Sequence, residues 1–286
     1  MSGRYVEVRV VACASLDSGE LLGHLGDEVR GAWEADGCIH LYWPEERWRP
    51  EALAQLEAVL ERIAGAGRRA LAIERVSEPD WVALWAAAAR PIRIGRRVLV
   101  RQSWNTAPLP PDGIEIVIDP RRAFGTGHHV TTQLLVELLE ERIRGGERVL
   151  DAGTGSGILA MVALRLGANA AVAIDLDPTA IECAREYAVA NGFGPELELR
   201  VARIEEMAPD RFDVVVANLD RETHIRHAAR FPPLLARAGL LLVSGLLVED
   251  RAEFNDAFAA VAATIRAWRE REGWAAAEVV FAPESS

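Results

Sequence analysis

The stretch Val149–Asp177, VLDAGTGSGILAMVALRLGANAAVAIDLD, constrains the fold of this chain more than any other. An apolar run ends in Asp151, glycines follow at 153, 155 and 157, and an apolar helix-like segment runs from Ile158 to Leu166. A second apolar run, Ala171–Ile174, ends in Asp175. Strand, tight turn, helix and strand make a βαβ unit, which binds a nucleotide-sized ligand at the carboxyl ends of its strands. Asp175 stands 22 positions after Gly153, where a carboxylate can hydrogen-bond the two hydroxyls of a ribose.

The glycine spacing selects the nucleotide. A dinucleotide fingerprint needs G-x-G-x-x-G, with a pyrophosphate on the helix N-terminus. Here the third glycine, Gly157, comes one position early. Asp151, just ahead of the turn, would repel a diphosphate but can hold a cationic amino group. D-x-G-x-G-x-G resembles the first motif of class I S-adenosylmethionine-dependent methyltransferases. Gly153, Gly155, Asp151 and Asp175 are therefore candidate donor-binding residues.

With 286 residues, half of them hydrophobic, the chain has material for one large or two modest domains. A net charge of −11 argues against a free-standing nucleic-acid binder. Cys13, Cys38 and Cys183 are far apart and without metal spacing, so they read as reduced cytosolic thiols. MSGRYVEVRV lacks the apolar core of a signal peptide, and Gly239–Val248 is too short to span a bilayer. The expectation is a soluble cytoplasmic protein with no membrane partner.

Ahead of the nucleotide unit, Tyr5–Ala12 alternates as a strand and Ser18–Leu25 suits a short helix. Two strand-like runs flank Asp36-Gly37, a hairpin turn. Pro50–Ala64 is an amphipathic helix on Leu53, Leu56, Leu60 and Ile63, and Leu71–Val76 is a strand. The order βαββαβ describes a small ferredoxin-like α+β domain over residues 1–76. It carries no chemistry of its own, so its role is binding. Residues 77–105 read as a linker with a short helix bearing Trp81 and Trp85, rings that pack the junction rather than cage a methylated amine. From 106 to 286, helices alternate with buried strands as in a doubly wound sheet. The runs Thr264–Trp268 and Ala276–Phe281 close it as an antiparallel edge.

Two further stretches carry chemistry. DPRRAFGTGHHVTT, residues 119–132, holds Gly125 and Gly127 in a loop placed to cover a ligand, and Thr131 or Thr132 can cap the helix Gln133–Ile143. His128 and His129 are neighbours that point apart, so they read as loop histidines rather than metal ligands. Asn218 follows Val214–Ala217 at the carboxyl end of a strand, where its amide can accept from an incoming amine and orient its lone pair. Glu222, His224 and His227 share a helix face that reads as solvated. No metal is expected.

Together the glycine loop, the AFGTGHHVTT loop and Val216-Ala217-Asn218-Leu219 resemble the ribosomal protein L11 methyltransferase family, as do DWVALW, PIRIGRRVLV and the leading βαββαβ module. The resemblance implies a Rossmann-like seven-stranded class I methyltransferase domain. It implies methyl transfer from S-adenosylmethionine to lysine ε-amines and the N-terminal amine of a ribosomal large-subunit protein held by the N-terminal domain, by an enzyme acting as a monomer. By position, Thr132, Gly153, Asp175 and Asn218 match the family's donor-binding residues, and Phe124, Gly125, Thr126 and Gly127 match its loop over the donor. Asn218 is the expected catalytic residue. His128 and Val130 stand where many members carry threonine and proline. Asp220-Arg221 stands where many carry small residues, on the side where the amine enters. That departure keeps open a family member acting on lysines of another protein. A donor-binding ribosome-assembly factor without catalysis is a second alternative. A nucleic-acid amine methyltransferase is disfavoured, because Asn218 is followed by Leu219-Asp220 rather than by Pro-Pro-aromatic.

Overall fold

In the computed structural model the described residues are 4–11, 21, 25, 28–35, 38–64, 71–77, 90–119, 127–209 and 211–282. They fall into two units, Met1–Ala89 and Arg90–Ser286.

In the first unit, β1 (Arg4–Val11) turns Val6, Val8 and Val10 to one face, all essentially fully buried. β2 (Gly31–Ala35) and β3 (Cys38–Pro44) form a hairpin with Ala35 opposite Cys38, leaving two residues for the turn. The turn itself, Asp36-Gly37, lies outside the described residues. α1 (Pro50–Ala64) has the bounds that its periodicity predicts. Its buried stripe is Ala52, Leu56, Val59 and Leu60, a narrow helical arc at whose edge Leu53 is only half-buried. β4 (Leu71–Ser77) completes an antiparallel sheet of order β2-β3-β1-β4, the ferredoxin-like arrangement. Trp43 is buried, and Trp48 meets it edge-on at 5.2 Å. Trp81, Trp85 and Cys13 lie outside the described residues. A cavity of about 620 Å³ is lined by Arg4, Tyr5, Arg30 and Arg47 and holds none of the candidate site residues.

The second unit begins with β5 (Ile92–Ile94), β6 (Val98–Arg101) and β7 (Ile114–Val117), a three-stranded sheet. The run 92–101, expected in the linker, thus contributes Ile94, Val98 and Val100 to the apolar core of this unit. The nucleotide unit follows: α2 (Val130–Arg142), β8 (Arg148–Ala152), α3 (Ile158–Leu166) and β9 (Ala170–Asp175). After it come α4 (Pro178–Ala190), β10 (Leu197–Val201), β11 (Phe212–Asn218) and α5 (Arg221–His227). The unit ends with β12 (Leu235–Leu247), α6 (Arg251–Ala259), β13 (Ala263–Arg271) and β14 (Trp274–Phe281).

The seven strands order as β10-β9-β8-β11-β12-β14-β13. The first five are parallel, and β14 is antiparallel to both neighbours. The last two strands do not stack onto the edge in sequence: β14 inserts between β12 and β13. Its buried Ala275, Ala276, Ala277 and Val279 need cover on both faces, whereas β13 carries the more exposed pattern that suits an edge. α5 stops at His227 and gives way to short 3-10 turns at 228–230 and 232–234, since Pro232-Pro233 lack the N–H groups that a longer helix would need. Among the described residues no helix is long and apolar enough to cross a membrane.

Candidate active site

β8 ends at Asp151-Ala152, β9 at Asp175 and β11 at Asn218, while β12 places Ser244 beside Asn218. Ala152 pairs with Ile174 on one side and Ala217 on the other. Asp175 and Asn218 therefore flank β8, separated by two strand spacings or about 10 Å. The strand order reverses at β8, so both residues face the crevice where open parallel sheets bind ligands.

The turn after β8 needs its glycines. Gly153, Gly155 and Gly157 have φ of 76°, 53° and 82°, in the left-handed region that L side chains avoid. Asp151 is completely buried. Its Oδ2 accepts from the Thr154 hydroxyl at 2.6 Å and from the Ala160 N–H at 3.1 Å, while its Oδ1 has no hydrogen-bond partner. Burial pushes the carboxyl up to about 7, against the pull of those two bonds. With no exposed surface, the carboxylate braces the turn against α3. The Gly155 N–H donates to Asp175 Oδ2 at 2.8 Å and the Asp177 N–H to Oδ1 at 3.0 Å. Each oxygen keeps a lone pair for a hydroxyl, and the side chain is half-exposed.

Sequence reasoning missed two neighbours of Asp175. Leu176 follows it and is 63% exposed; Val201 pairs with it across β9 and β10 and is 52% exposed. Two exposed apolar side chains thus stand next to the Asp175 carboxylate at the ends of β9 and β10. Their signal was available: apolar residues at strand ends where polar turn residues are usual.

On the other side of β8, the Asn218 Nδ2 donates to Thr131 Oγ at 3.1 Å and to Thr132 Oγ at 3.4 Å. Both threonines are buried in the first turn of α2, and neither caps it. The cap is His129, whose Nδ1 accepts from the Thr131 N–H, which frees the threonine hydroxyls to meet Asn218. His128 bonds the Arg90 carbonyl at 3.0 Å, a loop histidine as expected. Gly127, with φ 85°, is wedged between β6 and α3: a Cβ there would lie 3.2 Å from Ile158 and 3.3 Å from Val100. At the loop's other foot the Tyr187 hydroxyl donates to the Asp119 carbonyl, and the Asp119 carboxylate accepts from the Ser103 N–H at 2.7 Å. Phe124, Gly125 and Thr126 lie between these feet, outside the described residues.

Leu219 is clamped. A Cβ on Gly153 would come within 2.4 Å of its side chain, and one on Gly245 within 2.3 Å of its carbonyl oxygen. Its N–H donates to the Ser244 carbonyl at 3.1 Å. Gly245 went unnoticed in the sequence, although a lone glycine inside an apolar strand signals a bulge, which β12 has between Ser244 and Leu246.

Asp220-Arg221 has a structural task. Asp220 caps α5, accepting from the Thr223 N–H at 2.9 Å and the Thr223 hydroxyl at 2.7 Å. Arg221 reaches Asp250 at 3.3 Å and Glu253 at 3.1 Å. His224 corrects the reading of a solvated face. It is fully buried beside Phe231 and Phe254, 2.9 Å from the Ser244 carbonyl, and burial pushes its pKa down to about 4. His227 pairs with Glu205 at 3.1 Å.

The model of a family described as "Ribosomal protein L11 methyltransferase" matches residues 20–281. A protein of that name from Pelobacter propionicus is 37% identical over 247 residues, 83% of this chain and 80% of that protein. One from Ralstonia pickettii is 41% identical over 205 residues, 72% of this chain and 67% of that protein. A crystal structure of ribosomal protein L11 methylase from Lactobacillus delbrueckii subsp. bulgaricus is 28% identical. It superposes with a TM-score of 0.63, covering 67% of this chain and 98% of that one.

Proposed function

The chain belongs to the ribosomal protein L11 methyltransferase family, and from that premise we propose that it transfers methyl groups from S-adenosylmethionine to lysine ε-amines and the N-terminal amine of ribosomal protein L11. The observation that carries the reading is the pair Asp175 and Asn218 on either side of β8. One is a half-exposed carboxylate and the other a neutral amide.

The glycine turn with Gly153, together with Asp175, Leu176 and Val201, suits an adenosine, and Thr132, which the family resemblance assigns to donor binding, lies across β8 beside Asn218. S-Adenosylmethionine, when bound, supplies a sulfonium methyl group. The chain's own residues must present a neutral amine, and a free lysine is mostly protonated, with a pKa of about 10.4. Among the described residues, the groups bonded to or paired with Asn218 (Thr131, Thr132 and Ser244) carry no charge that would hold an ammonium. Asn218 is uncharged, and Asp220 is engaged in capping α5. With its Nδ2 committed to the two threonines, Asn218 turns its Oδ1 to an amine N–H and so aims the nitrogen lone pair. Desolvation in the crevice lowers the amine's pKa further, and alignment supplies most of the acceleration. The family resemblance assigns Phe124, Gly125, Thr126 and Gly127 to the donor's binding loop. The four-stranded N-terminal unit holds the protein substrate, and the enzyme acts in the cytoplasm as a monomer, without nucleic acid.

Incubation with labelled S-adenosylmethionine and ribosomal proteins from a methylation-deficient extract tests this. One labelled band at L11 is the expected result. Label on RNA, on another protein or on nothing overturns it.

A further inference from the structure

The hydrogen bonds around Asn218 have forced directions, and the forcing starts at a backbone N–H. The Thr131 N–H can only donate, and it points at His129 Nδ1, 3.4 Å away. That nitrogen is therefore an acceptor, and a neutral ring carries its hydrogen on Nε2. The Thr131 hydroxyl lies 2.7 Å from the same nitrogen and must give it its proton. Its oxygen then turns lone pairs toward Asn218 at 3.1 Å, and only the amide NH₂ can answer. Thr131 is 1% exposed, so water cannot take the place of either partner. The His129 ring is packed edge-on against Trp274 at the start of β14, with centroids 4.9 Å apart.

We infer that His129 and Thr131 are positioning residues that lock the Asn218 amide with its oxygen toward the acceptor amine. Neither touches the reacting atoms. A flipped amide would offer donors to the amine's lone pair and compete with its attack. The inference rests on the methyl transfer proposed above, so its test needs one readout that is independent of turnover.

Thr131→Val removes the hydroxyl and keeps the shape, while Thr131→Ser keeps the hydroxyl. The expected result for Thr131→Val is a kcat on L11 reduced about ten- to a hundredfold. Its affinity for S-adenosylhomocysteine, measured by calorimetry, stays within about threefold, and Thr131→Ser recovers most of the turnover. The independent readout is hydrogen exchange at the Asn218 side-chain amide in ¹⁵N-labelled protein, protected in the parent chain and unprotected in Thr131→Val. Unchanged kcat in Thr131→Val, a parallel loss of S-adenosylhomocysteine affinity, or an unprotected amide in the parent chain overturns the inference. A protected amide in a chain that methylates nothing supports the lock and overturns the transfer.

Discussion

The two halves of the crevice, the one we assign to the methyl donor and the one we assign to the acceptor amine, are built by different means. The donor half is sequence-local: Asp151 braces Thr154 and Ala160, and Gly155 donates to Asp175, all within one βαβ unit. The acceptor half is assembled from afar. Asn218 bonds Thr131 across 87 positions, Leu219 is clamped between Gly153 and Gly245, and buried His224 bonds the Ser244 carbonyl. A half made from one continuous segment keeps its geometry wherever that segment folds. A half made from four segments exists only when the whole sheet is in register, and it is there that an acceptor site can be retuned by changing a single contact.

The largest expected effect that separates the halves is a difference in their response to pH. Asp151, in the donor half, titrates near 7 when folded against 3.8 in its unperturbed state. A folded pKa above the unfolded one favours the native state at low pH, and that advantage is lost as pH rises from about 4 through 7. The size is on the order of 4 kcal/mol. His224, under the acceptor half, titrates near 4 against 6.5. Its contribution has the opposite sign: present above 6.5 and lost as pH falls toward 4. Denaturant unfolding of Asp151→Asn and the parent chain at pH 5 and 8 checks this. The variant should gain on the parent by about 2–3 kcal/mol between the two pH values, and a difference that ignores pH breaks the assignment.

The next effect splits binding from turnover. Asp175→Ala should weaken donor affinity about tenfold to a hundredfold by calorimetry, the value of hydrogen bonds to a charged group. Asn218→Ala should lower kcat about a hundredfold, with donor affinity within about threefold. Equal losses of affinity in both variants would erase the distinction between the halves. The smallest effect concerns Asp220. Losing the cap of α5 should cost about 1 kcal/mol of stability, measured by thermal unfolding. Methylation of L11 should stay within about threefold, since the side chain faces its own helix. A large fall in kcat for Asp220→Ala would place it in the acceptor half after all.

What was legible in the sequence follows the same division. The βαβ unit, Asp175 and the hairpin of the small domain were readable because periodicity and turn chemistry act over a few residues. Pro50–Ala64 was read to its ends for the same reason. Asp151 was expected to face a ligand; that its carboxylate is fully buried is something a sequence pattern cannot report. The cap of α2 was assigned to threonine by propensity, whereas His129 takes it, since both threonine hydroxyls are needed elsewhere. His224 was read as solvated from its polar neighbours, and only the packing of Phe231 and Phe254 against α5 buries it. Val201 and Gly245 were overlooked because each matters through a residue on another strand, and Leu176 because its exposure is settled only by packing.

By itself the sequence determined the donor side, where spacing along one segment dictates backbone conformation, and it determined which strand ends carry polar groups. Only the tertiary structure decided which of those groups meet. It placed β14 inside the sheet rather than at its edge, buried the Asp151 carboxylate, and set Thr131 and His129 behind Asn218. The physical reason is directional. Periodicity says which face of an element is buried, but a hydrogen bond needs a donor and an acceptor aimed at each other, and that aim is settled when distant elements pack.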